Sequence, residues 1–374
     1  MTVRTMRAVL AAHGTLIVVA CSESTTGVSD AALPDAAASD AQAGEADAAV
    51  DASASVRPWI DTHAHSVGIH SACNTQACVD AVVATMDTFG VKRTILLHPP
   101  SPSNTSVANC EKSVRDVVAL RPDRFFLGAG GCELNSKIQA TVGTAVTQEI
   151  RDSFGSRAQA LAPGAVAFGE MAALHVSYEA AHSFEEITPN AKLFQDLADI
   201  AATQKIAVDL HMDAVKQTMT TPSYFTSKSP NNPAQLQGNT DAFSQLLAHN
   251  RGARFVWAHV GRDTTGDMTP TLVDAMLAAN TNLFIQIHPT FAPLKSTNAI
   301  VADETFAIRA DWLDLLKKYP DRAVLGTDVF FTGTETDAKP LKAVQLFLQG
   351  LPVDLATKIG CENPVTIYGL PSGC

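Results

Sequence analysis

A chain of 374 residues with 46% hydrophobic and 17% charged residues has an ordinary globular composition and can bury a large core. Disorder over the whole length is therefore excluded. The formal net charge is −11 at pH 7, and residues 57–374 alone carry −6, which argues against a basic surface that binds duplex nucleic acid.

The first twenty residues predict an export signal. Arg4 and Arg7 precede the apolar run "AVLAAHGTLIVVA", which is too short to span a bilayer and ends in small residues before Cys21. The ending "VVAC" resembles the lipobox of bacterial lipoproteins, in which the cysteine is lipidated and becomes the new N-terminus. The resemblance implies a signal peptide over residues 1–20, lipidation of Cys21 and export. An ordinary signal peptide with an incidental cysteine is the alternative. Ser22, in place of an aspartate, resembles lipoproteins sorted to an outer membrane, with the periplasmic or outer side left open.

Residues 21–56 predict a disordered tether. Ala, Ser, Asp and Gly dominate, and the segment after Cys21 contains neither an aromatic nor a basic residue. A segment so poor in large apolar groups cannot offset the entropy lost on ordering. Much of the negative charge lies here, on Glu23, Asp30, Asp35, Asp40, Glu45, Asp47 and Asp51.

The folded part, residues 57–374, contains six cysteines. An even number in an exported chain favours disulfides, because the periplasm and the exterior are oxidising. The sequence does not choose among the pairings. Half of a zinc knuckle is the alternative for the first two, although no second closely spaced pair follows. The six are Cys73, Cys78, Cys110, Cys132, Cys361 and Cys374.

Short apolar runs alternate with longer amphipathic segments from Arg57 onward. Near-continuous apolar runs are typical of parallel strands buried on both faces. Eight such runs with helical patterns between them predict an α/β fold, a (β/α)8 TIM barrel. A doubly wound open sheet is the alternative, but neither a G-x-G-x-x-G turn nor a P-loop follows any run. The runs are "PWIDTH", "RTILLH", "RFFLGAG", "AVAFGE", "IAVDLH", "RFVWAH", "LFIQIH" and "AVLGTD".

Polar residues stand at or just after the C-terminal ends of seven of these eight runs. That edge carries the active site in TIM barrels. In the first run His63 and His65 are two residues apart, so a regular strand would place both on one face. Paired imidazoles are ligands for transition metals such as zinc. The seven residues are His65, His98, Glu170, His211, His259, His288 and Asp328.

Five motifs carry a resemblance to a known group. "DTHAH", "FGE", "VDLHMD", "FVWAHVGR" and "LGTD", in that order, resemble the metal-ligand signatures of the amidohydrolase superfamily. Flanking segments such as "YPDRAVLGTD" and "NPVTIYGL" are similar to the amidohydrolase-related branch, which contains hydrolases, lactonases and metal-dependent decarboxylases. The resemblance runs from Arg57 to about Leu370. It implies a mostly hydrolytic enzyme that uses zinc or a related divalent metal.

The resemblance also implies roles for single residues. His63 and His65 hold one metal, and Asp328 is a further ligand that accepts a proton from the attacking water and later donates it. His211 resembles the ligand of strand five and His259 that of strand six. In one-metal relatives, His211 completes the first site and His259 orients the water. A metal lowers the pKa of its bound water to roughly 7, which makes hydroxide at neutral pH.

Glu170 bears on the number of metals. Two-metal relatives place a bridging group at the end of strand four, and TatD-like nucleases place a glutamate there. The flanking text resembles the one-metal branch, which usually lacks such an acid. We expect two ions, one on each pair of histidines, with one ion as the alternative. For Glu170 itself, an ion pair with Arg262 is the other interpretation.

Substrate contacts are predicted beside the metal. Arg262 is expected to hold a carboxylate or phosphate of a small-molecule substrate, because guanidinium binds planar oxyanions with two prongs. A loop salt bridge with Asp263 is the alternative. His98 and His288 are candidates for the pocket lining, with structural packing as the other interpretation. We expect Asp61 to orient one of the ligand histidines through a hydrogen bond.

Three hypotheses for function follow. The first is a hydrolase that attacks an ester, lactone, amide or phosphoester with a metal-bound hydroxide. The second is a metal-dependent, non-oxidative decarboxylase of an aromatic or enoic acid, in which Arg262 grips the carboxylate. The third is a surface lipoprotein that keeps the fold as a non-catalytic binding module, against which the filled ligand positions argue. The oligomeric state is not predicted.

Overall fold

The computed structural model describes residues 56–66, 73–102, 110–290, 296, 298–303 and 305–374. The predicted signal peptide, the lipidation site Cys21 and the tether up to residue 55 lie outside the described residues. In the described segments, no helix combines the length and the apolar character that crossing a membrane requires.

Strands and helices alternate along most of this chain. The strands are β1 (Trp59–His65), β2 (Val91–Leu97), β3 (Phe125–Gly130), β4 (Ala165–His175), β5 (Glu185–Glu186), β6 (Ala207–Met212), β7 (Met219–Thr220), β8 (Gln235–Leu236), β9 (Arg254–Val260), β10 (Leu283–Ile287), β11 (Ala323–Leu325) and β12 (Val329–Phe330). The helices are α1 (Gln76–Thr88), α2 (Cys110–Leu120), α3 (Glu133–Gln139), α4 (Gln148–Leu161), α5 (Lys192–Gln204), α6 (Ser223–Lys228), α7 (Thr240–His249), α8 (Pro270–Ala279), α9 (Ala310–Lys318), α10 (Ala338–Gln349), α11 (Val353–Thr357) and α12 (Asn363–Tyr368).

One sheet organises the fold. Its strand order is β11-β10-β9-β6-β4-β3-β2-β1-β12, and the paired neighbours along this path are parallel. The short strand β5 joins the edge of β4 in antiparallel orientation. All eight predicted runs coincide with strands of this sheet, so the predicted parallel α/β fold is confirmed.

The two ends of the sheet path meet around residues 323–330. The hydroxyl of Thr62 in β1 donates to the carbonyl of Leu325 in β11 at 2.8 Å. The backbone N–H of Asp328 donates to the carbonyl of His63 at 2.9 Å, and that of Gly326 to Ile287 at 3.0 Å. The C-terminal ends of β1, β10 and β11 therefore lie side by side.

Helices cover the sheet through apolar faces with helical spacing. In α5, Leu193, Leu197 and Ala201 are fully buried and recur every four residues, which is the pattern of a helix with one apolar face. The hydroxyl of Thr269 accepts from the N–H of Leu272 and caps α8, which has proline at its first position. Both features favour helix initiation at that point.

The six cysteines of the folded part form three disulfides: Cys73–Cys78, Cys110–Cys132 and Cys361–Cys374. The expectation of disulfides is confirmed. Half of a zinc knuckle from Cys73 and Cys78 is excluded, because each sulfur is bonded to the other.

Candidate metal centre

Four histidines and one glutamate meet at the C-terminal edge of the sheet. We call this set the imidazole cluster: His63 and His65 from β1, Glu170 from β4, His211 from β6 and His259 from β9. No member is more than 5% exposed. The parallel strands bring their C-terminal ends to one edge, so residues far apart in the sequence become neighbours.

Glu170 lies at the centre of the cluster. Its Oε1 lies 2.8 Å from Nδ1 of His211 and 3.0 Å from Nε2 of His259. Its Oε2 lies 3.4 Å from Nε2 of His63 and 3.5 Å from Nε2 of His65. Each carboxylate oxygen thus faces one pair of histidines, as a bridging carboxylate would.

The charges in the cluster are strongly coupled. Burial alone would raise the pKa of Glu170, but the charge of His63 and a hydrogen bond with His211 hold it well below its ordinary value. Burial opposes a charge on His63, yet Asp209 and Glu170 raise the pKa of this imidazole well above its ordinary value. Burial also opposes a charge on His211, and Asp213 and Glu170 raise its pKa to about 9. The carboxylates of Glu170, Asp209 and Asp213 therefore favour positive charge on the buried imidazoles beside them.

The side chains fit a divalent cation. Candidate ligand atoms of His63, His65 and Glu170 lie within 4.8 Å of one another, as do those of Glu170, His211 and His259. Among the described residues, neither ring nitrogen of His63 nor Nδ1 of His259 makes a hydrogen bond of full geometry. Buried polar atoms without partners are costly. Imidazole and carboxylate together are the ligands of zinc, manganese and iron.

Asp328 forms a second group beside the cluster, which we call the Asp328 rim: Asp328, Arg262 and His288. The Oδ1 atom of Asp328 lies 3.2 Å from Nε2 of His65. Its Oδ2 lies 3.4 Å from Nη1 of Arg262 and 3.9 Å from Nδ1 of His288. Burial would raise the pKa of Asp328, but the imidazoles of His259 and His65 hold it well below its ordinary value. The carboxylate is thus ionised and touches both the cluster and a cation.

Arg262, the cation of this rim, also contacts an aromatic ring. Its guanidinium lies 4.6 Å from the ring centre of Tyr178, at a distance that favours a cation–π contact. Its Nε atom is buried and has no hydrogen-bond partner in the described chain. Asp263 accepts instead from the N–H groups of Gly266 and Met268. The alternative of a loop salt bridge with Asp263 is therefore wrong.

His98 and His288 take different places. His288 lies in the Asp328 rim, and burial holds the pKa of its imidazole well below the ordinary value. The ring of His98 lies against the disulfide, within 4.8 Å of the sulfurs of Cys110 and Cys132. Bonded sulfurs offer no thiolate ligand. The carbonyl of His98 accepts from the N–H of Glu170 at 3.3 Å and so supports that residue.

Asp61 does not act as expected. Its carboxylate accepts from the hydroxyl of Thr327 at 2.6 Å and from the backbone N–H groups of Thr327 and His63 at 3.1 Å each. The pairing of β1 with β2 is irregular between Asp61 and Ala64, so strict alternation of faces fails there. Asp209 instead lies beside the ring, with its Oδ1 at 3.2 Å from Nδ1 of His63. The expectation that Asp61 orients an imidazole is wrong.

Sequence reasoning also missed two histidines near the site. The strand β4 continues beyond Glu170 through "MAALH" and ends at His175. Its ring centre lies 4.1 Å from that of His211 and 4.4 Å from that of His182. The signal was present, because the apolar run continues past Glu170 without a break.

The backbone places His259 and Asp328 in unusual conformations. Their φ angles are 60° and 54°, in the left-handed region that few non-glycine residues adopt. The N–H of His259 donates to Oε1 of Gln286 at 2.7 Å and so helps to fix the turn. A Cβ atom at Gly326 would clash with Nε2 of Gln286 and lie 2.7 Å from Cβ of His63. Glycine is needed there for the strand ends to approach.

Comparisons with known proteins give likenesses of fold. No family model and no curated protein matches the chain. A structure described as a probable 2-pyrone-4,6-dicarboxylic acid hydrolase from Acinetobacter baumannii is 13% identical, with a TM-score of 0.47, over 84% of this chain and 100% of that one. A 5-carboxyvanillate decarboxylase from Novosphingobium aromaticivorans, complexed with manganese, is 12% identical, with a TM-score of 0.44, over 77% of this chain and 79% of that one.

A mutant PTE-like lactonase from Deinococcus radiodurans is 14% identical, with a TM-score of 0.46, over 78% of this chain and 86% of that one. A structure described as a putative amidohydrolase from Staphylococcus aureus is 14% identical, with a TM-score of 0.43, over 84% of this chain and 100% of that one. At such identities and TM-scores, the function has to be argued from this chain's own side chains.

Proposed function

We propose that this chain is a metal-dependent hydrolase of a small-molecule ester, lactone, amide or phosphoester. One observation carries the proposal: the two oxygens of Glu170 face two separate pairs of histidines, at 2.8 and 3.0 Å on one side and 3.4 and 3.5 Å on the other. Two divalent ions, preferably zinc, match this arrangement. His63 and His65 would hold one, His211 and His259 the other, and Glu170 would bridge them.

We further propose that the sheet is a closed (β/α)8 barrel. The hydrogen bonds that link Thr62 to Leu325 and Asp328 to His63 support closure between β1 and β11. A barrel would place the imidazole cluster at its C-terminal mouth, where such folds carry their active sites.

The side chains around the cluster suit hydrolysis. A bound divalent ion would supply Lewis acidity and an activated water at neutral pH. Asp328, ionised and in contact with His65, would accept the proton of the water and return it to the leaving group. His259 would orient the water, since its Nε2 lies within the cluster. Arg262 would hold an anionic or polarised group of the substrate.

The test combines metal content with hydrolysis. The purified full chain is reconstituted with Zn²⁺, its metal content is measured by elemental mass spectrometry, and lactones, aryl esters, amides and phosphotriesters are offered as substrates. We expect two equivalents of zinc per chain and hydrolysis that chelation abolishes. A reconstituted chain that binds no zinc, or hydrolysis that survives chelation, would contradict the proposal.

Decarboxylation is the second candidate, favoured by Arg262. Its guanidinium lies beside the cluster with Nε unpaired within the described chain, and a carboxylate would satisfy that group with a two-pronged contact. One equivalent of metal per chain, with release of carbon dioxide from an aromatic or enoic acid, would establish this reaction instead.

Export as a lipoprotein is proposed on the N-terminal sequence alone. Residues 1–20 would be cleaved and Cys21 would anchor the enzyme to the outer membrane. Fractionation of cells that express the wild type and Cys21→Ser tests this. The wild type is expected in the membrane fraction and the variant outside it. Equal distribution of the two would contradict the anchor.

A further inference from the structure

The C-terminal segment packs against strand residues that mostly precede the imidazole cluster along their strands. Ile367, Tyr368 and Leu370 are at most 5% exposed and pack in one apolar cluster with residues of six strands. These are Ile60, Ile95, Leu97, Ala167, Ala207, Val256 and Val324. Ala207 precedes Asp209 and His211 on β6 at spacings of two, so the three share one face of that strand.

Side-chain hydrogen bonds, a left-handed glycine and a disulfide fix this segment. The side-chain amide of Asn363, at the start of α12, donates to the carbonyls of Pro320 and Ala323 at 2.8 and 2.7 Å. Gly369 ends the helix with a left-handed φ of 66°. The disulfide Cys361–Cys374 encloses the helix. Tyr368 is therefore held in one place below the metal centre.

A line of buried polar groups leads from Tyr368 to the cluster. Tyr368 is 2% exposed and its hydroxyl faces Thr62 and Asp209, although neither contact has full hydrogen-bond geometry. Asp209 is fully buried, and its carboxylate has no hydrogen bond of full geometry within the described chain. Burial and the charge of Asp209 raise the pKa of Tyr368 well above its ordinary value. The phenol therefore stays protonated and can donate.

Asp209 is adjacent to a proposed metal ligand. Its Oδ1 lies 3.2 Å from Nδ1 of His63, while Nε2 of His63 faces Glu170 at 3.4 Å. A carboxylate that accepts from Nδ1–H fixes the ring and leaves Nε2 free to bind a metal. The carboxylate in turn needs a donor, and the hydroxyl of Tyr368 is the buried donor that faces it.

We propose that Tyr368 is a positioning residue of the metal centre, acting through Asp209 on His63. The C-terminal segment then has two roles: it packs against the strands and it supports the metal site through Tyr368. This inference rests on the proposed metal-dependent function.

The test is a double-mutant cycle on metal affinity in the full chain. Zn²⁺ affinity is measured by competition with a chelator for the wild type, Tyr368→Phe, Asp209→Asn and the double variant. Loss of a group that orients a metal ligand typically weakens affinity by about 10- to 100-fold, so each single variant should lose at least about tenfold. The double variant should bind no more weakly than Asp209→Asn, because Tyr368 acts through Asp209. If Tyr368→Phe weakened Zn²⁺ binding only by disturbing the structure, its loss of affinity would add to that of Asp209→Asn in the double variant.

Two further measurements complete the test. Tyr319→Phe is the control, because it removes a hydroxyl that donates to Asp274 at 2.6 Å on the surface, and its Zn²⁺ affinity should equal that of the wild type. Asp209→Asn leaves the C-terminal segment intact, and the visible absorption of bound Co²⁺ should shift in this variant.

The outcomes separate the two claims. Wild-type affinity in Tyr368→Phe, full additivity in the double variant, or an unchanged Co²⁺ spectrum in Asp209→Asn would overturn the inference and leave the proposed function standing. A wild type that does not bind Zn²⁺ would overturn both.

Discussion

The two carboxylates at the mouth of the sheet differ in their partners and exposure. The side chain of Glu170 is 3% exposed and meets imidazoles on both oxygens, whereas that of Asp328 is 18% exposed and meets one imidazole and one guanidinium closely. A shielded carboxylate between ligands is suited to holding metals. A carboxylate at the open edge is suited to exchanging protons with water and a leaving group. The contrast supports the proposed division, in which Glu170 would hold metal and Asp328 would transfer the proton.

Glu170→Gln should have the largest effect. The amide keeps the shape but loses the negative charge that faces four histidines, so we expect Zn²⁺ affinity to fall by at least about 100-fold, the upper end of what a supporting residue costs. Hydrolysis should become undetectable. The matched control is Glu185→Gln, which alters a glutamate that is 2% exposed and accepts from Asn135 outside the cluster. Unchanged metal content in Glu170→Gln would contradict the assignment.

Asp328→Asn should separate binding from chemistry. We expect kcat to fall by roughly 10²- to 10⁴-fold, the usual contribution of a general acid–base group, while at least one equivalent of zinc stays bound. Elemental analysis and kinetics on the same preparation measure both. Asp274→Asn, at a surface carboxylate that contacts Lys318, serves as the control. An Asp328→Asn enzyme with wild-type kcat would remove Asp328 from the mechanism.

Arg262→Gln should act mainly on substrate binding. A hydrogen bond to a charged group contributes about 1.5–3 kcal/mol, so KM for an anionic substrate should rise by about 10- to 100-fold, with a smaller change in kcat. Arg151→Gln, which loses a two-pronged contact with Asp196 on the surface, should leave KM unchanged. Equal KM values for Arg262→Gln and the wild type would show that Arg262 supports Asp328 alone.

Glu185 provides a third carboxylate in a different state. Burial raises its pKa from 4.5 to about 7. Between those pH values the folded chain binds more protons at this site than the unfolded chain. The free energy of unfolding should therefore fall as the pH rises through the window, by about 3 kcal/mol in total. Glu185→Gln should remove this component and be more stable than the wild type at pH 8. Denaturant unfolding of the wild type and of Glu185→Gln at pH 5 and pH 8 measures this component. An equal change in the free energy of unfolding of the two proteins between these pH values would contradict the prediction.

The strands could be predicted from the sequence because each is a nearly continuous apolar run. "AVAFGE" and "IAVDLH", for example, correspond to β4 and β6. The polar residues that end these runs converge for the same reason, since parallel strands share an edge. The positions of His63, Glu170 and His211 follow from topology alone.

The details that failed depend on local irregularity. The β1–β2 pairing shifts between Asp61 and Ala64, so the regular alternation of strand faces does not hold there. For this reason Asp61 was expected beside an imidazole, whereas Asp209 occupies that position next to His63. The disulfide pairing was open because the bonded cysteines become neighbours only in the folded chain. Tyr368 could not be placed below the cluster by spacing, because its position depends on how the last helix enters the sheet.

The most direct test of the central claim is crystallographic. Crystals of the full chain grown with Zn²⁺ are measured at the zinc absorption edge, and the anomalous density is located. The account predicts two peaks flanking the carboxylate of Glu170, one near His63 and His65 and the other near His211 and His259. Well-ordered histidines in that place without anomalous density, or zinc bound only at the surface, would contradict it.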